Sequence, residues 1–229
     1  VPCGEAPKAP IRDVEGVKQV LFPVKSENSL AGKVQNTSPI FDRELRIKCS
    51  GFGGQGILSL GHMIANMGRL REFNVSWMPS YGPEQRGGSC NCAVILSRNT
   101  IACPIVDRDC DLLIAMTQTA LDKFRNELKP DGILIYDRSA MAEPKMGPNQ
   151  KVFGVDALAI ANEKVGNGKC ANSVVVGLLA GILGKEFLND ADKADFDQVF
   201  EEAVQESFAS KPKVIAPNIQ AYKEGKALI

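Results

Sequence analysis

An α/β fold is what this sequence predicts, and three observations predict it. From residue 45 onward, apolar strand-like runs alternate with helix-like stretches, the pattern of a sheet covered by helices. A glycine-rich turn at 51–56 sits between the first such strand and the first such helix. A hydrophobic content of 44% over 229 residues is enough to bury one substantial core. The expected architecture is a three-layer Rossmann-like sandwich with a mostly parallel central sheet and an extended N-terminal arm.

The elements follow in order. Residues 1–44 hold Pro2, Pro7, Pro10, Pro23 and Pro39, scattered charges and one apolar run at 17–24. This reads as a linker, or as an arm anchored by Val20, Leu21 and Phe22, ahead of a folded unit at 45–229. Residues 45–50 form the first strand, 56–68 the first helix, and 74–78 a second strand that ends in a turn at Pro79. Ser89–Ser97 alternates in polarity at its start and reads as a third strand, antiparallel or at an edge. Residues 112–116 form a buried strand, after which Thr117 or Thr119 caps a helix reaching Leu128. Pro130, Asp131 and Gly132 make a turn before a buried strand at 133–136. A further strand at 151–155 leads into a helix at 157–164. The helix at 171–183 carries Gly177, Ala180 and Gly181, small enough for a neighbour to approach closely. Phe196, Val199, Phe200, Ala203, Val204 and Phe208 share one stripe at helical spacing and mark a core-facing C-terminal helix.

Composition removes several function classes. Lys+Arg and Asp+Glu both number 27, so no overall basic field points to nucleic acid or an anionic membrane. No apolar run reaches the roughly 18–20 residues of a membrane span, and no signal-peptide pattern opens the chain; a cytoplasmic location is expected. The seven cysteines, at 3, 49, 90, 92, 103, 110 and 170, form no C-x-x-C pair and no ferredoxin-like run. They read as reduced thiols, with Cys90 and Cys92 on one strand face as packed core groups rather than metal ligands. With His62 as the single histidine, a His-based metal site or a Ser–His or Cys–His nucleophile is a poor fit. It reads as a packing residue of the first helix, and no metal site is expected on this chain.

The chemistry lies in two glycine turns. Gly51, Gly53 and Gly56 fit the G-x-G-x-x-G spacing, with Gly54 and Gln55 between them. Such a turn presents bare backbone N–H groups at the positive end of a helix, where a phosphate-bearing cofactor sits. Gly51 is expected to turn with positive φ, Gly53 to admit the ligand, and Gly56 to let helix and strand pack closely. A nicotinamide enzyme also needs an acidic residue about 20 residues further on, at the end of the second strand, to hold the ribose. That strand ends Trp77-Met78-Pro79-Ser80-Tyr81; Glu72 comes before it and Glu84 after it. Ordinary nicotinamide binding is therefore disfavoured.

The second turn continues from Ser80 and Tyr81 through Gly82, Pro83, Glu84, Gln85 and Arg86 to Gly87 and Gly88. Prolines stiffen it while glycines free its backbone at chosen points. Arg86 can meet a phosphate or carboxylate as a fixed fork, with Glu84 holding it or accepting a ligand hydroxyl. Tyr81 suits either a stacked adenine or an interface. Two readings stay open: a ligand site, and a rigid turn docked on a neighbouring subunit.

The two turns together, with Asn91-Cys-Ala-Val-Ile, Pro104-Ile-Val-Asp107, Leu121-Asp-Lys-Phe124, the segment 162–166 and the Ala171-Asn172 helix start, resemble the gamma subunit, or gamma domain, of the 2-oxoacid:ferredoxin (acceptor) oxidoreductases. The resemblance covers about residues 45–225, and the form Ser-Tyr-Gly-Pro-Glu is closer to the 2-oxoglutarate and branched-chain 2-oxoacid enzymes than to the pyruvate type. It implies a multisubunit enzyme that oxidatively decarboxylates a 2-oxo acid to an acyl-CoA. Thiamine diphosphate, Mg and [4Fe-4S] clusters would sit on partner subunits: alpha, beta and a ferredoxin-like delta, with ferredoxin as electron acceptor. This chain would help bind coenzyme A and complete the assembly, with no catalytic residue assigned to it and no activity in isolation. The leader at 1–44 fits a fused beta–gamma polypeptide as well as a free gamma subunit. The alternatives are a free-standing Rossmann-like dinucleotide-dependent oxidoreductase and a scaffold with a relic ligand turn.

Overall fold

The computed structural model describes residues 39–81 and 89–229, and six strands form one sheet within them. They are β1 (Leu45–Phe52), β2 (Asn74–Tyr81), β3 (Ser89–Ser97), β4 (Cys110–Ala115), β5 (Leu128–Asp137) and β6 (Lys151–Val155), in the spatial order β2-β3-β1-β4-β5-β6. β1, β4, β5 and β6 pair in parallel. β3 runs antiparallel to both β1 and β2, so β2 points the same way as the parallel set.

Alternation along the strands makes two cores. Ile47, Cys49, Ile114 and Ile135 face one side; Leu113, Ala115, Leu134 and Tyr136 face the other. The first face is covered by α1 (Ile57–Leu70), α3 (Ala157–Val165), α4 (Ala171–Glu186), α5 (Asp190–Ser207) and α6 (Ile215–Lys226). The second is covered by the single short α2 (Gln118–Phe124) and by the chain around Val106 and Met141. The three expected layers are present, but unequal in thickness.

Charge on the thin side is matched in place. Asp111 accepts from Arg43 Nη1 at 2.7 Å, Lys129 Nζ at 2.7 Å and the Arg46 backbone N–H at 2.9 Å. Lys48 donates to the Val106 carbonyl at 3.1 Å, pairs with Glu127, and lies 4.5 Å from the centre of the Phe124 ring. Buried charges left unpaired would be strongly destabilising, so this network fixes how β1, β4 and β5 meet at their starts.

The thick side depends on close backbone contact. α4 is buried almost all round, and α6 crosses it where both helices carry glycine. A Cβ on Gly177 would fall 2.0 Å from the Tyr222 carbonyl oxygen, and one on Gly225 would fall 2.0 Å from the Val174 oxygen. The Ser173 hydroxyl donates to Asn218 Oδ1 at 2.6 Å, and the Tyr222 hydroxyl to Asp197 Oδ1 at 2.7 Å. Phe200 stacks on Tyr222 at 4.0 Å, which joins α5 to the pair. Before β1, the turn Pro39–Phe41 buries Phe41 completely, 4.6 Å from Phe73 and 6.4 Å from Phe196. Arg71 lies 5.0 Å from the Phe73 and Phe196 rings and forms an ion pair with Asp195 at 2.9 Å. The Val20–Phe22 anchor lies outside the described residues.

Some boundaries differ from expectation. β3 is antiparallel but lies inside the sheet, which makes β2 the edge. Thr117 is the cap of α2, accepting the Ala120 N–H at 3.2 Å. That helix stops at Phe124, and a short 3-10 turn at Arg125–Glu127 frees Leu128 to begin β5. Residues 130–132 lie within β5, where its register with β4 shifts, rather than in a separate turn. The stripe from Phe196 to Val204 belongs to α5, Phe208 lies just past its end, and α6 follows it. α6 is hidden in the sequence because its apolar positions are sparse and Pro212 and Pro217 stand at its start. Proline is tolerated in a first turn, whose N–H groups have no helical acceptor. Among the described residues no helix is long and apolar enough to cross a membrane.

Replacing Gly177 or Gly225 with Ala should force α4 and α6 apart and lower stability by about 1–3 kcal/mol. Urea unfolding would show this as a lower midpoint with unchanged slope, whereas Gly166→Ala, where a Cβ meets nothing within 4 Å but φ is +72°, should cost only its backbone strain.

Candidate functional site

The first glycine turn joins β1 to α1 at the ends of the parallel strands, the side on which open α/β sheets hold ligands. Its left-handed residues are Gly54, at φ +105°, and Gly56, at φ +72°. Gly51, expected to take a positive φ, does not. It is still part of β1, paired with Cys90, and its missing side chain serves another purpose. A Cβ there would lie 2.5 Å from Gln55 Oε1.

Gln55 folds back over the end of the sheet. The Phe52 N–H donates to its Oε1 at 2.8 Å, and its Nε2 donates to the Met116 carbonyl at 3.3 Å. The turn is thereby tied to the end of β4. From the other side, Asn172 at the start of α4 donates from Nδ2 to the Gly56 carbonyl at 3.1 Å. A Cβ on Gly56 would meet that amide at 2.5 Å. Close helix–strand packing, expected of Gly56, is supplied instead by Gly61 and Gly68. A Cβ would reach within 2.3 Å of Cys92 Sγ at Gly61 and 2.5 Å of Leu96 Cδ2 at Gly68.

What remains for a ligand is backbone. Gly56 caps α1 with no side-chain hydrogen bond, and a Cβ on Gly54 would meet nothing within 4 Å. The N–H groups of Gly53, Gly54 and Gly56 have no hydrogen-bond partner among the described residues. Unpartnered donors at the positive end of a helix suit a phosphate and need no side-chain charge. Phe52, 38% exposed, flanks the turn and was not singled out from sequence, although an aromatic within a glycine run is a visible signal. Asn172 was visible only as part of the family resemblance.

The second turn meets this site at its ends. Tyr81 pairs with Cys90, and Cys90 pairs with Gly51, so Tyr81 and Gly51 stand in one row with a strand between them. Two strand spacings separate them by about 10 Å. Ser80 is exposed in the row below, opposite Asn91. Gly82, Glu84, Arg86, Gly87 and Gly88 lie outside the described residues. The two turns therefore leave next-but-one strands, not adjacent ones. β3 occupies the place where a dinucleotide-binding sheet has its second parallel strand, and β3 ends at the opposite edge. No strand on that side of β1 offers a carboxylate to a ribose.

The thiols behave as core. Cys49, Cys90, Cys92, Cys110 and Cys170 are buried and Cys103 is exposed. Cys49 and Cys92 face each other across β1 and β3; their mutual contact raises the Cys49 pKa and lowers that of Cys92. Burial pushes Cys110 up to about 12 and also raises Cys90 and Cys170. Among the described residues no group of three or more His, Cys, Asp or Glu is placed to hold a metal ion. His62 is exposed, its ring edge-on to Trp77 at 5.3 Å. A groove of about 380 Å³ lined by Arg138, Phe153, Asp156, Ile160 and Leu178 lies beside β6 and does not touch the turn.

Sheet order, inserted β3 and backbone-lined turn together define a Rossmann-like domain that has lost the ribose-binding position of the dinucleotide enzymes. Residues 46–228 match the family described as pyruvate ferredoxin/flavodoxin oxidoreductase, and the chain belongs to it. It is 36% identical over 207 residues to ketoisovalerate oxidoreductase subunit VorA of Methanothermobacter marburgensis, covering 90% of this chain and 40% of that protein. It is 32% identical over 193 residues to 2-oxoglutarate synthase subunit KorC of Methanothermobacter thermautotrophicus, covering 82% of this chain and 95% of that one. In fold it is similar to 2-oxoglutarate:ferredoxin oxidoreductase from Magnetococcus marinus, solved with 2-oxoglutarate, coenzyme A and succinyl-CoA bound. The TM-score is 0.68 at 22% identity, covering 81% of this chain and 31% of that one. The chain thus spans less than half of the VorA relative. The likeness to the ketoisovalerate and 2-oxoglutarate types agrees with the preference read from Ser80–Glu84.

With a small maleimide under native conditions, Cys103 should be modified rapidly and the five buried thiols only on denaturation, a difference that peptide mass spectrometry resolves.

Proposed function

We propose that this chain is the gamma component of a multisubunit 2-oxoacid:ferredoxin oxidoreductase acting on a branched-chain 2-oxo acid or 2-oxoglutarate. The observation that carries this is the family match over 46–228, joined to relatives whose names are those two activities. In this reading the chain binds coenzyme A and completes the assembly, while alpha, beta and delta partners carry thiamine diphosphate, Mg and the [4Fe-4S] clusters and pass electrons to ferredoxin.

The residues of the turn fit the diphosphate of coenzyme A. Unpartnered N–H groups at Gly53, Gly54 and Gly56 would hold its oxygens, with the start of α1 adding positive potential. Phe52 offers an apolar face beside them. Ser80, Tyr81, Glu84 and Arg86 are proposed to take part in the same site, since the end of β2 at Tyr81 stands in one row with Gly51. No general acid or base is assigned to the chain. Coenzyme A, when bound, would supply the thiol that accepts the acyl group; this domain orients it and performs no bond-making of its own. The nicotinamide alternative loses ground because β3 stands where the ribose carboxylate would be.

The test compares Gly54→Asp with Gly54→Ala in the assembled enzyme. Both place a Cβ in open space at φ +105°, where aspartate is if anything tolerated better than alanine, but only one places a carboxylate on the turn. Gly54→Asp should raise the KM for coenzyme A at least about tenfold over Gly54→Ala, a cost near 1.4 kcal/mol, with the KM for the oxo acid within about twofold. Equal KM values for coenzyme A would remove the cofactor from this turn.

A further inference from the structure

Gln55 stands among the groups expected to contact the cofactor, yet both ends of its amide are already engaged. Oε1 accepts from Phe52 N–H and Nε2 donates to the Met116 carbonyl, so the side chain spans the ends of β1 and β4. Those two strands flank the point where the sheet's connections part: β1 leads to α1 on one face, and β4 leads to α2 on the other. In open α/β sheets the ligand enters the crevice at this point. Here an amide lies across it, and the absence of a Cβ on Gly51 keeps the space for that amide.

Asn172 completes the arrangement from the opposite direction. Its Nδ2 bonds the Gly56 carbonyl, which also accepts the first helical bond of α1 from Leu60 N–H at 2.9 Å. The space it uses is again kept by a glycine, Gly56. Two amide side chains from separate elements thus fix the two ends of a turn whose middle, Gly53–Gly54, makes no hydrogen bond through its N–H groups among the described residues.

We propose that Gln55 and Asn172 are positioning residues, an amide clamp that closes the β1–β4 crevice and presents the Gly53–Gly54 rim, so that the diphosphate lies outside the crevice. This rests on the reading of the turn as the coenzyme A site. The clamp makes the start of α4 part of ligand recognition, although no atom of α4 needs to touch the ligand.

The experiment uses the assembled enzyme carrying Gln55→Met or Asn172→Leu, each close in size and lacking the amide, with Asn172→Ala as a smaller companion. Each should raise the KM for coenzyme A about five- to twentyfold. The KM for the oxo acid and the kcat at saturating coenzyme A should stay within about twofold, since the clamp orders the ground-state site and not the reacting atoms. Hydrogen exchange at the Phe52 amide should speed up in Gln55→Met. An unchanged or lowered KM for coenzyme A in these variants, while Gly54→Asp still raises it, overturns the clamp and leaves the site. A flat response that includes Gly54→Asp overturns the site and the clamp with it. A rise in both KM values together with a fall in kcat marks general damage and also overturns the positioning role.

Discussion

Because the antiparallel strand β3 lies between β1 and β2, the ground beside β1 holds a strand that begins, rather than ends, at the ligand edge. A dinucleotide site needs two parallel strand ends side by side: one to feed the phosphate-binding turn and one to carry the ribose carboxylate. Inserting β3 removes the second while leaving the first intact. On the proposed reading the surviving turn meets a phosphate, and no strand beside it among the described residues carries a carboxylate for a ribose. The same insertion makes β2 and β3 antiparallel partners, so β2 ends at Tyr81 in the row that contains Gly51 and β3 begins at Ser89 opposite Phe52.

Recognition by backbone alone demands rigidity that side-chain recognition does not. A lysine or arginine can follow a phosphate over some distance; an amide N–H points where its peptide plane points. The structure meets this demand by bracing the turn against two neighbours and by reserving room for the braces with glycine. That is why four glycines in six residues do not make a loose loop. Only Gly54 and Gly56 need the left-handed conformation, while Gly51 is a strand residue whose missing Cβ makes space for Gln55. The glycines under α1 and between α4 and α6 follow the same logic of close approach, and they set the position from which Asn172 reaches Gly56.

Much of this was legible in the sequence, and the divide has a physical basis. The strands of the central sheet announced themselves because residues such as Leu112–Met116 are apolar on both faces, as burial under two layers requires. Thr117 was legible as one of two candidate caps because it directly follows a strand and precedes a helix. α6 was not, since its buried positions include Asn218 and Gly225, which no hydrophobic period reports. Strand order was illegible for a different reason: local pattern shows that β3 is a strand but not which neighbours it pairs with. In the site, the glycine spacing was plain, whereas the partnership of Gln55 with Met116, 61 residues away, and of Asn172 with Gly56, 116 residues away, belongs only to the folded chain.

A domain built this way is well suited to act within a larger enzyme. On the proposed reading its turn lends binding and no reacting group: among the described residues five thiols are buried in the core, with Cys103 exposed, and no group of three or more His, Cys, Asp or Glu is placed to hold a metal ion. On the proposed reading such a surface would contribute affinity and orientation for one end of a long cofactor while its reactive end extends elsewhere. Binding energy gathered at a remote diphosphate can then be spent on placing the thiol where another subunit does the bond-making. An open, rigid turn at the edge of a sheet is the geometry that permits this, because a closed pocket would hold the whole cofactor and keep its reactive end from reaching a partner.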